Sequence, residues 1–151
     1  MDKYQKVVVD GLLIKDGRAL IIRRANHESF LPGYYELPSG KVEFGEDPRD
    51  AIVREFKEET NLFVKTIKPY HTFSYVMENG NRHTVEIVYL VNLADESSII
   101  ALSEDHDEYK WISPEEIDNY NITDEMKESI LGGMNYPALP KPKQSAPNPP
   151  H

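Results

Sequence analysis

Glu55, Glu58 and Glu59 stand at i, i+3 and i+4 in a stretch of helical spacing. At about 100° per residue the three carboxylates fall on one side of a helix. That side borders the sector of Ile52 and Phe56 instead of opposing it. Like charges this close cost roughly 0.2–0.5 kcal/mol per pair on a helix, and more when partly desolvated. A divalent cation removes the cost. Carboxylate oxygens are hard ligands suited to Mg²⁺ or Mn²⁺, ions that keep waters and accept phosphate oxygens. The competing reading is a solvated acidic face on which Arg54 pairs with Glu58.

The loop ahead of the helix adds context. Ser39-Gly40-Lys41 follows Leu37-Pro38, and Glu43 and Glu46 lie between that turn and Asp47. Glycine lets a backbone approach a ligand, and a nearby carbonyl can complete a metal shell. Lys41 is a candidate phosphate contact.

The order Gly40-x5-Glu46-x7-Arg54-Glu55-Phe56-x-Glu58-Glu59-x-Asn61-Leu62 resembles the Nudix box of the MutT-like hydrolases, G-x5-E-x7-R-E-U-x-E-E-x-G-U with U a bulky aliphatic. Chance agreement of one Gly, one Arg and four Glu at fixed spacing is on the order of one in 10⁷, from average residue usage. Two positions depart from it. Phe56 replaces the aliphatic residue, and Asn61 replaces the closing glycine, Asn being the next-best residue for a left-handed helix cap. Upstream, Leu37-Pro38-Ser39-Gly40 is similar to the family's L-P-G-G, with Ser39 for one glycine.

The resemblance implies a Nudix-type α/β/α sandwich with a mixed, curved β-sheet, of α+β class. It also implies Mg²⁺-dependent hydrolysis of a nucleoside diphosphate linked to another group, Mn²⁺ being a possible substitute. Glu55, Glu58, Glu59 and the Ser39 carbonyl are then the expected metal ligands. Arg54 orients the glutamates, and Glu46 supports the loop or a metal-bound water, with a helix N-terminal charge as its simpler role. A general base comes either from the box or from Ser103-Glu104-Asp105-His106-Asp107-Glu108. Asp105 stands six residues before Trp111, where relatives carry Glu, and Glu104 is its longer neighbour. His106 is expected to be structural.

Substrate contacts are expected from Lys41, from Tyr35 or Tyr34 ahead of the Leu-Pro pair, and from Arg23 and Arg24 at the end of a strand, with a solvated strand end as their simpler reading. The ADP-ribose subgroup's proline is Met77 here, and the dinucleoside-polyphosphate subgroup's tyrosine has its nearest counterpart in Tyr75. A nucleoside triphosphate or oxidised deoxynucleoside triphosphate is the leading expectation. A dinucleoside polyphosphate, a non-catalytic nucleotide sensor and an RNA 5′ end are the alternatives.

Several elements must position these residues. Val7–Ile14 and Ala19–Ile22 flank Lys15-Asp16-Gly17-Arg18 as a hairpin. A second hairpin joins His71–Met77 to Thr84–Val91 around Asn79-Gly80-Asn81, with Val85, Ile87 and Tyr89 forming one face. Tyr109–Ile112 reads as a strand. Asp47-Pro48 starts a helix that ends at Thr60 before Asn61. Thr123 caps another, Asp124–Leu131, with Gly132-Gly133 as its stop. Ser113-Pro114-Glu115-Glu116 reads as a short helical start.

The 151 residues suffice for one domain, expected over 1–135. Residues 136–151 carry six of the eleven prolines and are expected to be a disordered or polyproline tail. Cysteine is absent, which excludes disulfides and thiolate chemistry. No apolar run reaches the ~20 residues of a membrane helix, and no secretory leader is read at the start. A cytoplasmic monomer or homodimer is expected. The net charge of −9 disfavours sequence-independent nucleic-acid binding. The favoured partner is a small nucleotide carried in with its metal.

Overall fold

The computed structural model describes residues 2–135, so the expected tail lies outside the described residues. Seven strands and two α-helices follow one another as β1 (Tyr4–Lys15), β2 (Arg18–Arg24), β3 (Tyr35–Glu36), β4 (Ser39–Lys41), α1 (Pro48–Thr60), β5 (Val64–Met77), β6 (Arg82–Leu93), β7 (His106–Ile112) and α2 (Asp124–Gly133). A 3₁₀ turn, Pro114–Asn119, links β7 to α2. Both expected hairpins form. Asp16 and Gly17 take positive φ in the first, as do Glu78, Asn79 and Gly80 in the second. Their strands extend beyond the expected bounds, because the partner strand continues the ladder past the apolar run.

The sheet is mixed. The β1 and β6 strands run parallel, while β4–β1 and β5–β6 are antiparallel. At Ile14 and Lys15 the chain hands its pairing to β2, which carries β3 and β7 in a second leaf. Ala51, Ile52 and Phe56 of α1 pack with Val9, Leu13 and Leu20 on one side. Met126 and Ile130 of α2 pack with Leu12, Ile21 and Val88 on the other. Helices on two sides of a mixed sheet make the α+β sandwich expected from the chain.

The α1 boundaries fall where expected. The Asp47 side chain accepts from the Arg49 N–H, Pro48 occupies the first turn, and Asn61 adopts φ 65° with its N–H on the Lys57 carbonyl. Phe56, fully buried, takes the aliphatic position without strain on the cap.

The stop of α2 is a correction. Gly132 and Gly133 are its last helical residues, and the positive φ comes at Asn135. Gly133 is there for contact: a Cβ would lie 2.3 Å from Leu12 Cδ2 and 2.6 Å from the Tyr70 Cζ. Tyr70 cannot withdraw freely, since its hydroxyl donates to the Ser129 carbonyl at 2.6 Å. Gly133→Ala is therefore expected to cost about 1–3 kcal/mol through overpacking, read as a fall in Tm of several degrees. An unchanged Tm would show that α2 can slide on β1 and β5.

Candidate active site

The local chemistry of the helix end builds the site. The last carbonyls of α1 lack intrahelical partners. The following loop supplies them, with Ala101 N–H on the Thr60 carbonyl at 2.9 Å and Ser103 N–H on the Glu59 carbonyl at 3.1 Å. The same loop is tied to β2 by Ala25 N–H on the Asp105 carbonyl, 2.9 Å. These bonds bring Asp105 beside the last turn of α1.

On the other side β4 lies against the helix. Glu59 accepts from the Ser39 N–H at 2.9 Å. The Glu55 carboxyl lies across Gly40 so closely that a Cβ there would sit 1.9 Å from its Cδ. Arg54 gathers the remaining acids. Its Nε and Nη2 fork onto Glu46 at 2.9 Å each, Nη1 reaches Glu55 at 2.7 Å and Glu58 at 3.2 Å, and Nη2 also donates to the Lys41 carbonyl at 3.0 Å. One guanidinium thus fixes loop, strand and helix relative to one another by charge-assisted bonds.

The electrostatics divide these acids. The Arg54 guanidinium, helped by the Glu43 N–H, pulls the Glu46 carboxyl down to about 2. Enclosure pushes Glu59 well up, and Glu36, Glu55 and Asp105 push it further; only the Ser39 N–H opposes them. Burial also raises Glu55 against the pull of Arg54. Enclosed oxygens that resist ionisation, grouped beside an open backbone, are a donor set that a hard divalent cation would satisfy.

A lowered folded value gives Glu46 a defined pH signature. Its pairing contributes stability that is complete above about pH 4.5 and is lost as pH falls towards about 2. The gap in Tm between wild type and Glu46→Gln should therefore narrow over that window. A gap that stays constant would contradict the pairing.

The cleft beside these groups has a volume of about 470 Å³. Ser39, Gly40, Lys41, Glu59, Asp105 and Tyr35 of the expected set line it. Six expected residues do not, namely Arg23, Glu46, Arg54, Glu55, Glu58 and Glu104. Arg54 holds Glu46 and Glu55 outside the lining, Glu55 lying against Gly40. The Glu58 side chain is 54% exposed and turned to Arg54, so the three box glutamates do not converge on one point. Glu104 is exposed outside the lining, which separates it from Asp105.

Arg23 is a further correction. It pairs with Asp107 at 2.7 Å and Glu108 at 3.2 Å, outside the lining. Strand alternation sends Arg24 into the cleft instead. Arg24 bonds Glu28 at 3.1 Å and Glu36 at 3.2 Å, and Glu36 also meets His106 Nε2 at 2.9 Å. His106 is 4% exposed and also lines the cleft. Tyr35 both lines the cleft and belongs to the core, packed edge-on to Tyr120 with its hydroxyl bonded to Glu108. Burial first, and then Glu108, push that phenol up to about 12.

Among the described residues, the one trio of potential ligand atoms within 4.8 Å of one another is His27, Glu28 and Asp105. Sequence reasoning named Arg24 beside Arg23 but missed its partners, Glu28 of the loop after β2 and Glu36, which the β2–β3 pairing brings to it. It also missed Asp10 and Glu86. Asp10 is 1% exposed and Glu86 7%, on strands covered from both sides. Burial, followed by the Glu86 charge, pushes the Asp10 carboxyl well up. The available signal was a lone acid inside each of two apolar runs.

Comparison with known proteins places the arrangement. The family model described as NUDIX domain matches residues 5–131. An ADP-ribose pyrophosphatase of Methanocaldococcus jannaschii is 37% identical over 90 residues, 60% of this chain but only 52% of that protein. The nucleoside triphosphatase NudI of Escherichia coli is 28% identical over 126 residues, covering 78% of this chain and 89% of that one. The MutT protein from Methanosarcina mazei Go1 superposes with a TM-score of 0.73 at 22% identity, covering 89% and 96% of the two chains. A bifunctional NMN adenylyltransferase/ADP ribose pyrophosphatase from Francisella tularensis, complexed with AMP and a Mn ion, superposes at 0.68 with 26% identity, over 88% of this chain and 42% of that one.

Proposed function

The chain belongs to the NUDIX family, and from that premise we propose that it hydrolyses a phosphoric anhydride bond in a small nucleotide with Mg²⁺ or Mn²⁺. A nucleoside triphosphate is the first-choice substrate. The observation that carries this reading is the Arg54 fork, which holds Glu46, Glu55 and Glu58 in one network while Glu59 is pinned to Ser39 at the cleft. A merely solvated acidic helix has no reason to enclose Glu59.

Glu59, Glu55 and the Ser39 carbonyl would hold the cation, with Glu58 joining after release from Arg54. When bound, the ion supplies positive charge against the diphosphate and makes water more acidic. Lys41 faces the cleft and adds a cation on the phosphate side. Asp105, electrostatically coupled to Glu59 across the cleft wall, takes the proton of the attacking water. The water oxygen bonds to phosphorus, the bridging P–O bond breaks, and the leaving phosphate keeps that bond's electron pair on its bridging oxygen. Arg54 acts as a positioning residue for the glutamates.

ADP-ribose is the second reading, favoured by the 37% identity with an ADP-ribose pyrophosphatase. The test is a phosphate-release screen with Mg²⁺ over nucleoside triphosphates coupled to an inorganic pyrophosphatase, and over dinucleoside polyphosphates and ADP-ribose coupled to a phosphatase. Turnover of one class well above the others is expected. No turnover of any would reject the enzymatic reading in favour of a nucleotide sensor. No described helix is long and apolar enough to cross a membrane, and a cytoplasmic monomer or homodimer completes the proposal.

A further inference from the structure

Strand register arranges the cleft floor in rows. Lys41 of β4 pairs with Val8 of β1, Val8 with Glu86 of β6, and Glu86 with Phe73 of β5. Directly paired residues share a face, and all four line the cleft. Glu86 therefore sits two strands from Lys41, about 9.5 Å by the usual strand spacing. That is the span a nucleoside requires between its first phosphate and the outer edge of its base.

Glu86 is a costly residue to keep there. It is 7% exposed, and among the described residues no Lys or Arg forms an ion pair with it. Behind it, Asp10 is 1% exposed, and its carboxyl shares a side-chain hydrogen bond with Glu86. Tyr75 donates its hydroxyl to Glu86. An ionised carboxylate has about four acceptor sites, so Tyr75 and Asp10 together leave about two of them for a ligand in the cleft that Glu86 lines. An enclosed carboxylate without a cationic partner is destabilising, and a ligand that brings N–H groups would offset that cost. Phe73 and Tyr34 line the same space with aromatic rings, which suit a stacked base.

We infer that Glu86, backed by Asp10, is a base-reading subsite selective for a purine edge with two adjacent N–H donors, the guanine type. This inference rests on the nucleotide reading above and deepens it. The N1–H and N2–H groups of guanine fit one carboxylate as a two-point acceptor. Adenine sets a ring-nitrogen lone pair against it and is disfavoured. Hypoxanthine offers one donor and is intermediate.

Equilibrium binding of GMP, IMP and AMP to the metal-free, full-length protein tests this by calorimetry. GMP is expected to bind at least about 10-fold tighter than IMP, as suits one lost hydrogen bond to a charged group, and tighter still than AMP. In Glu86→Gln that advantage should fall to about twofold or less, with the melting curve checked for folding. If the variant fails to fold, the wild-type ranking remains decisive. Equal binding of the three, or a preference for AMP, overturns the subsite. Hydrolysis of nucleotides without base preference overturns it alone, whereas absence of both binding and hydrolysis overturns the parent reading as well.

Discussion

Glu59→Gln is expected to lower nucleotide hydrolysis by at least about 10²-fold, the usual loss when a group that organises charge in the transition state is removed. The same substitution should raise the Tm of the metal-free protein. Glu59 is enclosed and surrounded by Glu36, Glu55 and Asp105, so its folded value is raised. For a carboxyl so raised, the ionised form destabilises the fold at neutral pH, and the cost disappears as pH falls below the ordinary Glu value. Gln retains the acceptor for the Ser39 N–H and carries no charge. Added Mg²⁺ should stabilise the wild type and leave the variant nearly unmoved. Loss of activity together with a lower Tm would instead mean that Glu59 serves the fold.

Gly40→Ala is expected to cause a loss of similar size with little change in Tm. The new methyl would meet Glu55 Cδ at 1.9 Å and Cγ at 2.4 Å. A flexible side chain can swing away, so the backbone need not move. The swing breaks the 2.7 Å bond to Arg54 and displaces a ligand by an ångström or more, enough for about 10² in rate. Because the methyl acts through Glu55, Gly40→Ala combined with Glu55→Gln should be scarcely worse than Glu55→Gln alone. Additive losses would assign Gly40 a separate role.

The two hairpins, the limits of α1 and its caps were legible because each has a local cause. Asp16-Gly17 closes a tight turn, Asp47 and Pro48 open the helix, and Asn61 accepts the left-handed position. The acidic group of α1 was legible for the same reason, since helical spacing alone brings Glu55 and Glu59 to one side. Other features required the tertiary register. The choice of Arg24 over Arg23 for the cleft depends on which face of β2 turns inward, and both faces carry apolar neighbours. Val85, Ile87 and Tyr89 read as one face of a partly buried strand, yet the sheet is covered on both sides and Glu86 is buried on the opposite face. The outward turn of Glu58 depends on Arg54 being pulled by Glu46 from eight residues away. The end of α2 was misplaced because Gly133 answers to Leu12 and Tyr70, distant in sequence, and not to a turn.

Titration of Mn²⁺ into wild type and Glu59→Gln, with free ion followed by electron paramagnetic resonance, measures whether these enclosed carboxylates exist to hold a cation. Saturable binding by the wild type, tightened by nucleotide and weakened at least about 10-fold in the variant, is the expected result. Identical isotherms for the two proteins would contradict it.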